Sequence, residues 1–311
     1  MKLSALIPIG NLKDREITGV TCDSRQIKEG FAFVCIKGSL NDGHKYAASA
    51  AEKGAAVIVA QEDTGLDNQI IVPDTHAAYS QMCANWFSNP AKDLKLIGVT
   101  GTNGKTSVTY MLKKVLEAAG YKVGLIGTIQ NMICDEIIAT ENTTPNAYDL
   151  NSLFALMKAK GCTYAIMEVS SHALDQCRVY NLDFDVAMFT NLTQDHLDYH
   201  GTIEEYKACK KVLFFNCDNA VVNADDEASA YMVEGVPCNV KTYALNNDAD
   251  FKADNAELFS DRVQYDLSGE KVVFGTPGDF SVYNSLCAIG AVCSLGFDLS
   301  DVISANSPSS R

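Results

Sequence analysis

The segment that most narrows what this 311-residue chain can fold into is LKLIGVTGTNGKTS, residues 94–107. Its apolar first half, 94–100, reads as a buried strand. The strand runs into a loop with glycines at 98, 101 and 104. The loop opens a stretch up to Gly120 that places Val108, Met111, Leu112, Val115 and Ala119 on one helical face. Glycines let backbone N–H groups approach phosphate oxygens, and a helix N-terminus adds favourable partial charge. Lys105 can reach a β- or γ-phosphate, and the Thr106 hydroxyl can ligate Mg²⁺. The strict pattern G-x4-G-K-[ST] is not met, because Val99 stands where its first glycine belongs; the spacing is GxxGxxGK[TS]. An ordinary glycine turn has no reason to place Lys-Thr directly after its last glycine. A dinucleotide loop would not put a lysine there.

The same alternation continues on both sides. VGLIGTI (123–129), CTYAIMEV (162–169), FDVAMFT (184–190) and NAVVNA (219–224) read as further strands with helix-like segments between them. Continuous apolar strands separated by helices predict a parallel sheet covered on both faces. Upstream, FAFVCI (31–36), AAVIVA (55–60) and QIIV (69–72) read as strands, and GHKYAASAAEKG and THAAYSQMCANWF as helices. The polar break NPAKD (89–93) separates the two regions. The expected fold is therefore α/β: an amino-terminal α/β domain (1–90) and a P-loop domain (91–311) with a mostly parallel, helix-covered sheet. Residues 250–275 are more polar and alternating, as in a hairpin. SVYNSLCAIGAVCSLG (281–296) reads as a buried helix, and the closing ANSPSSR is abrupt, with no terminal cap or closing strand.

Charge sets the context for an anionic ligand. Against 25 Lys plus Arg stand 39 Asp plus Glu, a net charge of -14. That argues against nucleic acid and membrane surfaces, which need a broad positive field; a phosphate must be held by a local nest of donors. No apolar run approaches the roughly 18 residues of a membrane span, and MKLSALIPIG is too short and interrupted for a signal peptide. The cysteines, 11 in all, are odd in number and lack CxxC spacing. Cys35, Cys83, Cys162, Cys287 and Cys293 sit in apolar stretches, as buried thiols of a reducing, cytoplasmic compartment do.

Two strand ends carry the remaining chemistry. MEVSSHAL (167–174) puts Glu168 at the carboxyl end of one strand, where open α/β sheets bind ligands. After the next strand, FTNLTQDHLDYHGT (189–202) gathers Asn191, Asp195, His196, Asp198 and His200. The i, i+4 histidines suggest zinc, but zinc peptidases need Glu directly after the first His, and Leu197 stands there. A structural role fits His200, whereas Glu168 and His196 suit a Mg²⁺ shell. Lys210, on the helix YKACKKVLFF, reads by position alone as a surface lysine.

With these residues in place, the chain resembles the Mur ligases, the ATP-dependent amide-forming enzymes of peptidoglycan synthesis. The resemblance runs from the amino terminus to about residue 300. It rests on GVTCDSR (19–25), IKGSLNDGH (36–44), GVTGTNGKTS, ENTTP (141–145), MEVSSHAL with Arg178, and NLTQDHLDYHGT. ENTTP and TCDSR favour the member that adds the third amino acid, meso-diaminopimelate or lysine, to UDP-N-acetylmuramoyl-L-Ala-D-Glu. The resemblance implies that Cys22, Ser24, Ser39, Leu40 and Asn41 lie at the uridine-nucleotide site. Asn142, Thr143, Thr144, Ser170, Gln176 and Arg178 would hold the muramoyl-dipeptide. Gly101, Thr102, Asn103, Gly104, Lys105, Thr106 and Ser107 form the ATP loop, and Asn284 faces the adenine. The family's carbamylated lysine falls on Lys210, giving Thr106, Glu168, His196 and Lys210 as ligands of Mg²⁺, and Lys105, Lys210, Glu168 and His196 as the catalytic set.

Such a ligase phosphorylates a carboxylate with ATP, and the incoming amine displaces phosphate from the acyl phosphate. The expected partners are UDP-muramoyl-dipeptide, ATP and an amino acid, acting on a monomer, without nucleic acid or membrane insertion. Two departures stand out. Phe280-Ser281 replaces the family's usual Phe-Asn, and the chain stops before a third, Rossmann-like domain that would hold the amino acid. On that basis it is expected to bind both ligands weakly without forming product. The competing readings are a folylpolyglutamate or cyanophycin-type ligase of the same fold, and a truncated nucleotide-binding module.

Overall fold

The computed structural model describes residues 1–38 and 41–306. Ser39 and Leu40 of the expected uridine segment, and the last residues of ANSPSSR (307–311), lie outside them. The chain is α/β throughout and divides into two compact units. Residues 1–91, 145–155 and 176–181 make the first, and 92–144, 156–175 and 182–311 the second.

The first unit is built on a four-stranded sheet of β1 (Gly19–Thr21), β2 (Phe31–Val34), β3 (Val57–Ala60) and β4 (Gln69–Ile71), in that spatial order. Every pair is parallel. The fully buried strand β3 explains the unbroken apolar run there, since both faces of the sheet are covered. Helices α1 (Leu3–Leu6) and α3 (Thr75–Trp86) cover one face of this sheet and α2 (Ala47–Glu52) the other. Leu3, Leu6, Tyr79 and Met82 pack with Val20, Val34, Val57 and Val59, while Ala47 and Ala50 pack with Phe33 and Ile58.

The second unit holds a nine-stranded sheet. Its strands are β5 (Lys95–Thr100), β6 (Val123–Ile126), β7 (Asn131–Ile133), β8 (Glu136–Ile138), β9 (Tyr164–Glu168), β10 (Phe184–Phe189), β11 (Cys217–Asn223), β12 (Asn239–Ala244) and β13 (Phe251–Lys252). Their spatial order is β13-β12-β11-β10-β5-β9-β6-β7-β8. Pairing is parallel except for β6–β7 and β7–β8. After β9 the chain crosses β5 to lay β10 on its other side. That reversal is where open α/β sheets leave a crevice beyond the strands' carboxyl ends.

Helix α4 (Lys105–Ala118) follows β5. Val108, Met111, Leu112 and Val115 are buried as the periodicity predicts, each contributing about 1.5–3 kcal/mol of burial. Ala119 departs from the expectation: the helix ends at Ala118, Ala119 is its exposed C-cap, and Leu116 is buried instead. The face of α4 meets α10 (Asp279–Ser294), whose Leu286, Ile289 and Val292 complete the core. The expected hairpin at 250–275 is a three-stranded antiparallel sheet, β14 (Asp254–Leu258), β15 (Val263–Leu267) and β16 (Glu270–Phe274), while Phe251–Lys252 joins the edge of the large sheet. Shorter helices α5 (Ala147–Ala159), α6 (Ser171–Asp175), α7 (Leu197–His200), α8 (Ile203–Lys211), α9 (Ser229–Val233) and α11 (Leu299–Asn306) fill the connections. None of the eleven cysteines is in a disulfide. Among the described residues, no helix is long and apolar enough to cross a membrane.

Candidate nucleotide and metal site

Four neighbouring strands, β10, β5, β9 and β6, run parallel and end side by side. Each delivers a loop to the same edge of the sheet: residues 190–193, the glycine loop 101–107, Glu168, and Gly127-Thr128. The glycine loop is anchored by its neighbour. Thr102 N–H donates to the Asn191 carbonyl at 2.8 Å, Asn103 N–H to Asn191 Oδ1 at 3.0 Å, and the Thr190 hydroxyl to the Asn103 carbonyl at 2.6 Å. The Thr102 hydroxyl donates to the Thr193 carbonyl at 3.2 Å. Gly104 ends the loop at φ 87, a left-handed conformation that favours glycine. A Cβ there would stand 2.5 Å from Asn284 Oδ1, so the Asn284 amide is pressed against the loop. The first N–H groups of α4 then have no intrahelical acceptor and point out of its positive end, together with Ser107 on the first turn.

Two lysines meet on one carbonyl. Lys105 Nζ donates to the carbonyls of Gly101 at 2.9 Å and Thr102 at 2.8 Å, and Lys210 Nζ reaches the same Gly101 carbonyl at 3.1 Å. Lys210 is 1% exposed, on α8, and lies over the Tyr206 ring at 4.4 Å. The expectation from position alone, a surface lysine, is thus corrected, because α8 turns this side chain inward. Burial, reinforced by the charge of Lys105, pushes the Lys210 ammonium down to about 7. Burial also lowers Lys105, with Glu168 and Asp195 opposing the shift.

Glu168 is 1% exposed and accepts from the Thr106 hydroxyl at 3.0 Å on each oxygen. Thr144 Oγ1 donates to the Glu168 backbone carbonyl at 2.8 Å and lies 3.3 Å from Ser170 Oγ. Thr106, Glu168, Thr144 and Ser170 are therefore brought together. Asn142 is exposed and its carbonyl accepts from the Thr140 hydroxyl; Thr143 is half-buried.

His196 is half-exposed at φ 52, capping α7. It lies 3.6 Å from Asp195 Oδ2, and its ring meets those of His172 at 5.1 Å and Tyr206 at 6.1 Å. His200 does not share a helical face with it, since α7 begins only at Leu197. His200 instead makes a buried 2.8 Å contact with Ser171 Oγ, the structural role expected of it. Among the described residues, no three His, Cys, Asp or Glu side chains form a ready-made metal group. What is present beside the loop is a hydroxyl–carboxylate pair, Thr106 and Glu168. Hard oxygen donors of that kind fit Mg²⁺. Lys210 fits a cation only if its amine is converted to an anion.

A cavity of about 430 Å³ adjoins the loop, lined by Ser107, Met111, Lys114, Phe274, Thr276 and Asn284 among others. Ser281 also lines it, but its hydroxyl is donated to the Pro277 carbonyl at 3.0 Å. In the first unit, Cys22 is half-buried and its thiol is pushed up by burial. The Ser24 carbonyl accepts from Lys53, Asn41 is exposed, and Gln176 Oε1 accepts from Arg178 at 2.7 Å. Gly127, Thr128 and Tyr206 were not singled out from sequence. Gly127-Thr128 sits where β6 ends, but without the acid that marked Glu168 at the end of β9.

Comparison with known proteins decides the family. Residues 99–292 match the Mur ligase middle domain, and residues 16–89 match the Mur ligase family, catalytic domain. The chain belongs to the Mur ligase family. This Mur ligase chain is 43% identical over 298 residues to a UDP-N-acetylmuramoyl-L-alanyl-D-glutamate–2,6-diaminopimelate ligase from Clostridium botulinum, covering 93% of the chain and 62% of that relative. A protein of the same name from Bacillus licheniformis is 46% identical over 290 residues, covering 89% and 59%. A solved structure of a UDP-N-acetylmuramoyl-L-alanyl-D-glutamate–2,6-diaminopimelate ligase superimposes with a TM-score of 0.82 at 27% identity, over 93% of this chain and 62% of that one. MurF ligase from Thermotoga maritima, solved with ADP, shares the fold at a TM-score of 0.57 and 20% identity, over 92% and 65%. The Mur ligase chain thus spans about three-fifths of the length of the curated relatives it matches.

Proposed function

We propose that this chain serves an ATP-dependent ligase that joins 2,6-diaminopimelate to UDP-N-acetylmuramoyl-L-Ala-D-Glu in peptidoglycan synthesis. Residues 1–90 take the uridine nucleotide, through Cys22, Ser24 and Ser39–Asn41, and residues 91–311 take ATP. Asn142, Thr143, Thr144, Ser170, Gln176 and Arg178 hold the muramoyl-dipeptide. The observation that carries the reading is the meeting of Lys105 and Lys210 on the Gly101 carbonyl, beside the Thr106–Glu168 pair. Relatives named as diaminopimelate ligases support that amino acid over lysine.

In this reading the ATP phosphates sit on the amino-terminal turn of α4, with Lys105 against the β- and γ-phosphates and the base in the cavity beside Asn284. Thr106 and Glu168 would hold one Mg²⁺, and Glu168, His196 and a carbamate on Lys210 would hold a second. The neutral form of the buried Lys210 amine, a substantial fraction near pH 7, would attack CO₂; the N–C bond forms as a C=O π bond opens, a proton leaves to solvent, and an anionic carbamate results. Bound Mg²⁺ supplies neutralisation of the transferring phosphoryl charge. A D-Glu carboxylate oxygen attacks the γ-phosphorus and ADP leaves. The diaminopimelate amine then attacks the acyl carbon, loses a proton and expels phosphate.

Calorimetry tests the assignment. The chain is expected to bind MgATP and UDP-muramoyl-L-Ala-D-Glu in preference to folate, and Lys105→Ala to weaken MgATP by about tenfold or more while leaving the fold intact. Equal MgATP affinity in the variant, or preference for folate, would overturn it.

A further inference from the structure

We propose that Thr128 is a positioning residue that joins Thr143, on the substrate segment, to the Glu168 carboxylate, so that muramoyl-dipeptide and metal–nucleotide bind with positive coupling. The inference rests on the roles proposed above for Glu168 and Thr143.

Glu168 is held almost entirely by two threonines. Thr106, from the nucleotide loop, spreads one hydroxyl over both carboxylate oxygens at 3.0 Å. Thr128, from the end of β6, supplies its backbone N–H to Oε1 and its hydroxyl to Oε2, both at 2.9 Å. The approach is possible because Gly127 stands next to Glu168 across the β6–β9 pairing, one step beyond the Ile126–Met167 pair. A Cβ on Gly127 would collide with Glu168 Oε1.

The Thr128 hydroxyl also lies 3.1 Å from Thr143 Oγ1. One hydroxyl carries one proton, and a carboxylate is the stronger acceptor, so the Thr143 proton is the one that completes this contact. An unbroken line of polar groups results: Thr106, Glu168, Thr128, Thr143. The next residue, Thr144, grips the Glu168 backbone carbonyl at 2.8 Å. The 143–144 segment thus holds Glu168 at its main chain directly and at its carboxylate through Thr128. Fixing 143–144 with one ligand restricts the carboxylate that the other ligand needs. Linkage then requires each to tighten the other by the same factor.

The test uses the full chain, Mn²⁺ in place of Mg²⁺ and a non-hydrolysable ATP analogue, with free Mn²⁺ read by electron paramagnetic resonance. Saturating UDP-muramoyl-L-Ala-D-Glu is expected to tighten Mn²⁺ by about fivefold or more. Thr128→Val keeps the backbone donor and the branched shape and is expected to abolish that tightening; Thr128→Ser, which keeps the hydroxyl, retains it. Dipeptide binding without any effect on Mn²⁺, or full coupling in Thr128→Val, would overturn the inference alone. Unchanged Mn²⁺ affinity in Glu168→Gln would instead overturn the metal role of Glu168 on which it rests.

Discussion

A lysine that loses its water must find counter-charge or give up its proton, and Lys210 is set for the second. It touches a carbonyl and a tyrosine ring, and its pKa is pushed down to about 7, by burial first and the Lys105 charge second, against weaker opposing pulls from Cys209 and Asp195. Between about pH 7 and the ordinary lysine value the unfolded chain holds a proton that the folded chain lacks. Stability therefore rises with pH across that window and is lowered fully below it. Replacing Lys210 with Met removes the titration. In bicarbonate-free buffer the melting temperature of wild type minus Lys210→Met should change little below about pH 7 and climb from there to pH 10, and a flat difference throughout would contradict the lowered pKa of the buried amine. The inward turn of Lys210 was not legible in YKACKKVLFF, because Lys207, Lys210 and Lys211 are chemically equivalent there and only packing separates them. Glu168 was legible, since an apolar run ending in an acid marks a strand's carboxyl end.

Helix α8, which carries Lys210, is started by a capping box. Thr202 Oγ1 accepts from Glu205 N–H at 3.2 Å, and Glu205 Oε2 accepts from Thr202 N–H at 3.3 Å. Thr202→Ala should cost about 1 kcal/mol and raise amide exchange in the first turn of α8, measured by hydrogen–deuterium exchange. Unchanged protection there would mean that packing alone holds the helix. At this scale the sequence spoke clearly where strands are buried on both faces, as in β5 and β10, because their apolar runs are continuous. It was silent for β7–β8, two three-residue strands joined through Cys134 at φ 54, a position where turn patterns lead one to expect Asn or Gly. It was also silent for β12, whose residues 239–241 are exposed at their side chains and alternate weakly. The misplacement of Ala119 has a local cause: a helical face extrapolated past Ala118 runs into the turn at Gly120, φ 89.

Across the whole molecule, an acidic chain of net charge -14 gathers the groups proposed to bind phosphate at one sheet edge, where β10, β5, β9 and β6 end together. The sequence showed three of those four ends, the loop after β5, Glu168 and the 190–200 segment. Each pairs an apolar run with a polar residue of obvious chemistry. It did not show the fourth, because Gly-Thr after β6 looks like any strand end until the register sets it beside Glu168. Nor could a break at NPAKD reveal that residues 145–155 and 176–181 belong to the first compact unit, since clustering of distant segments leaves no mark on composition. The proposed activation of a carboxylate by ATP at these strand ends is tested most directly by trapping the activated species. With MgATP, UDP-muramoyl-L-Ala-D-Glu and hydroxylamine, the chain should release ADP and form the dipeptide hydroxamate, detected by mass spectrometry, and Lys105→Ala should form none. A folded chain that binds both ligands yet yields no hydroxamate, or a Lys105→Ala variant that yields as much as wild type, would contradict it.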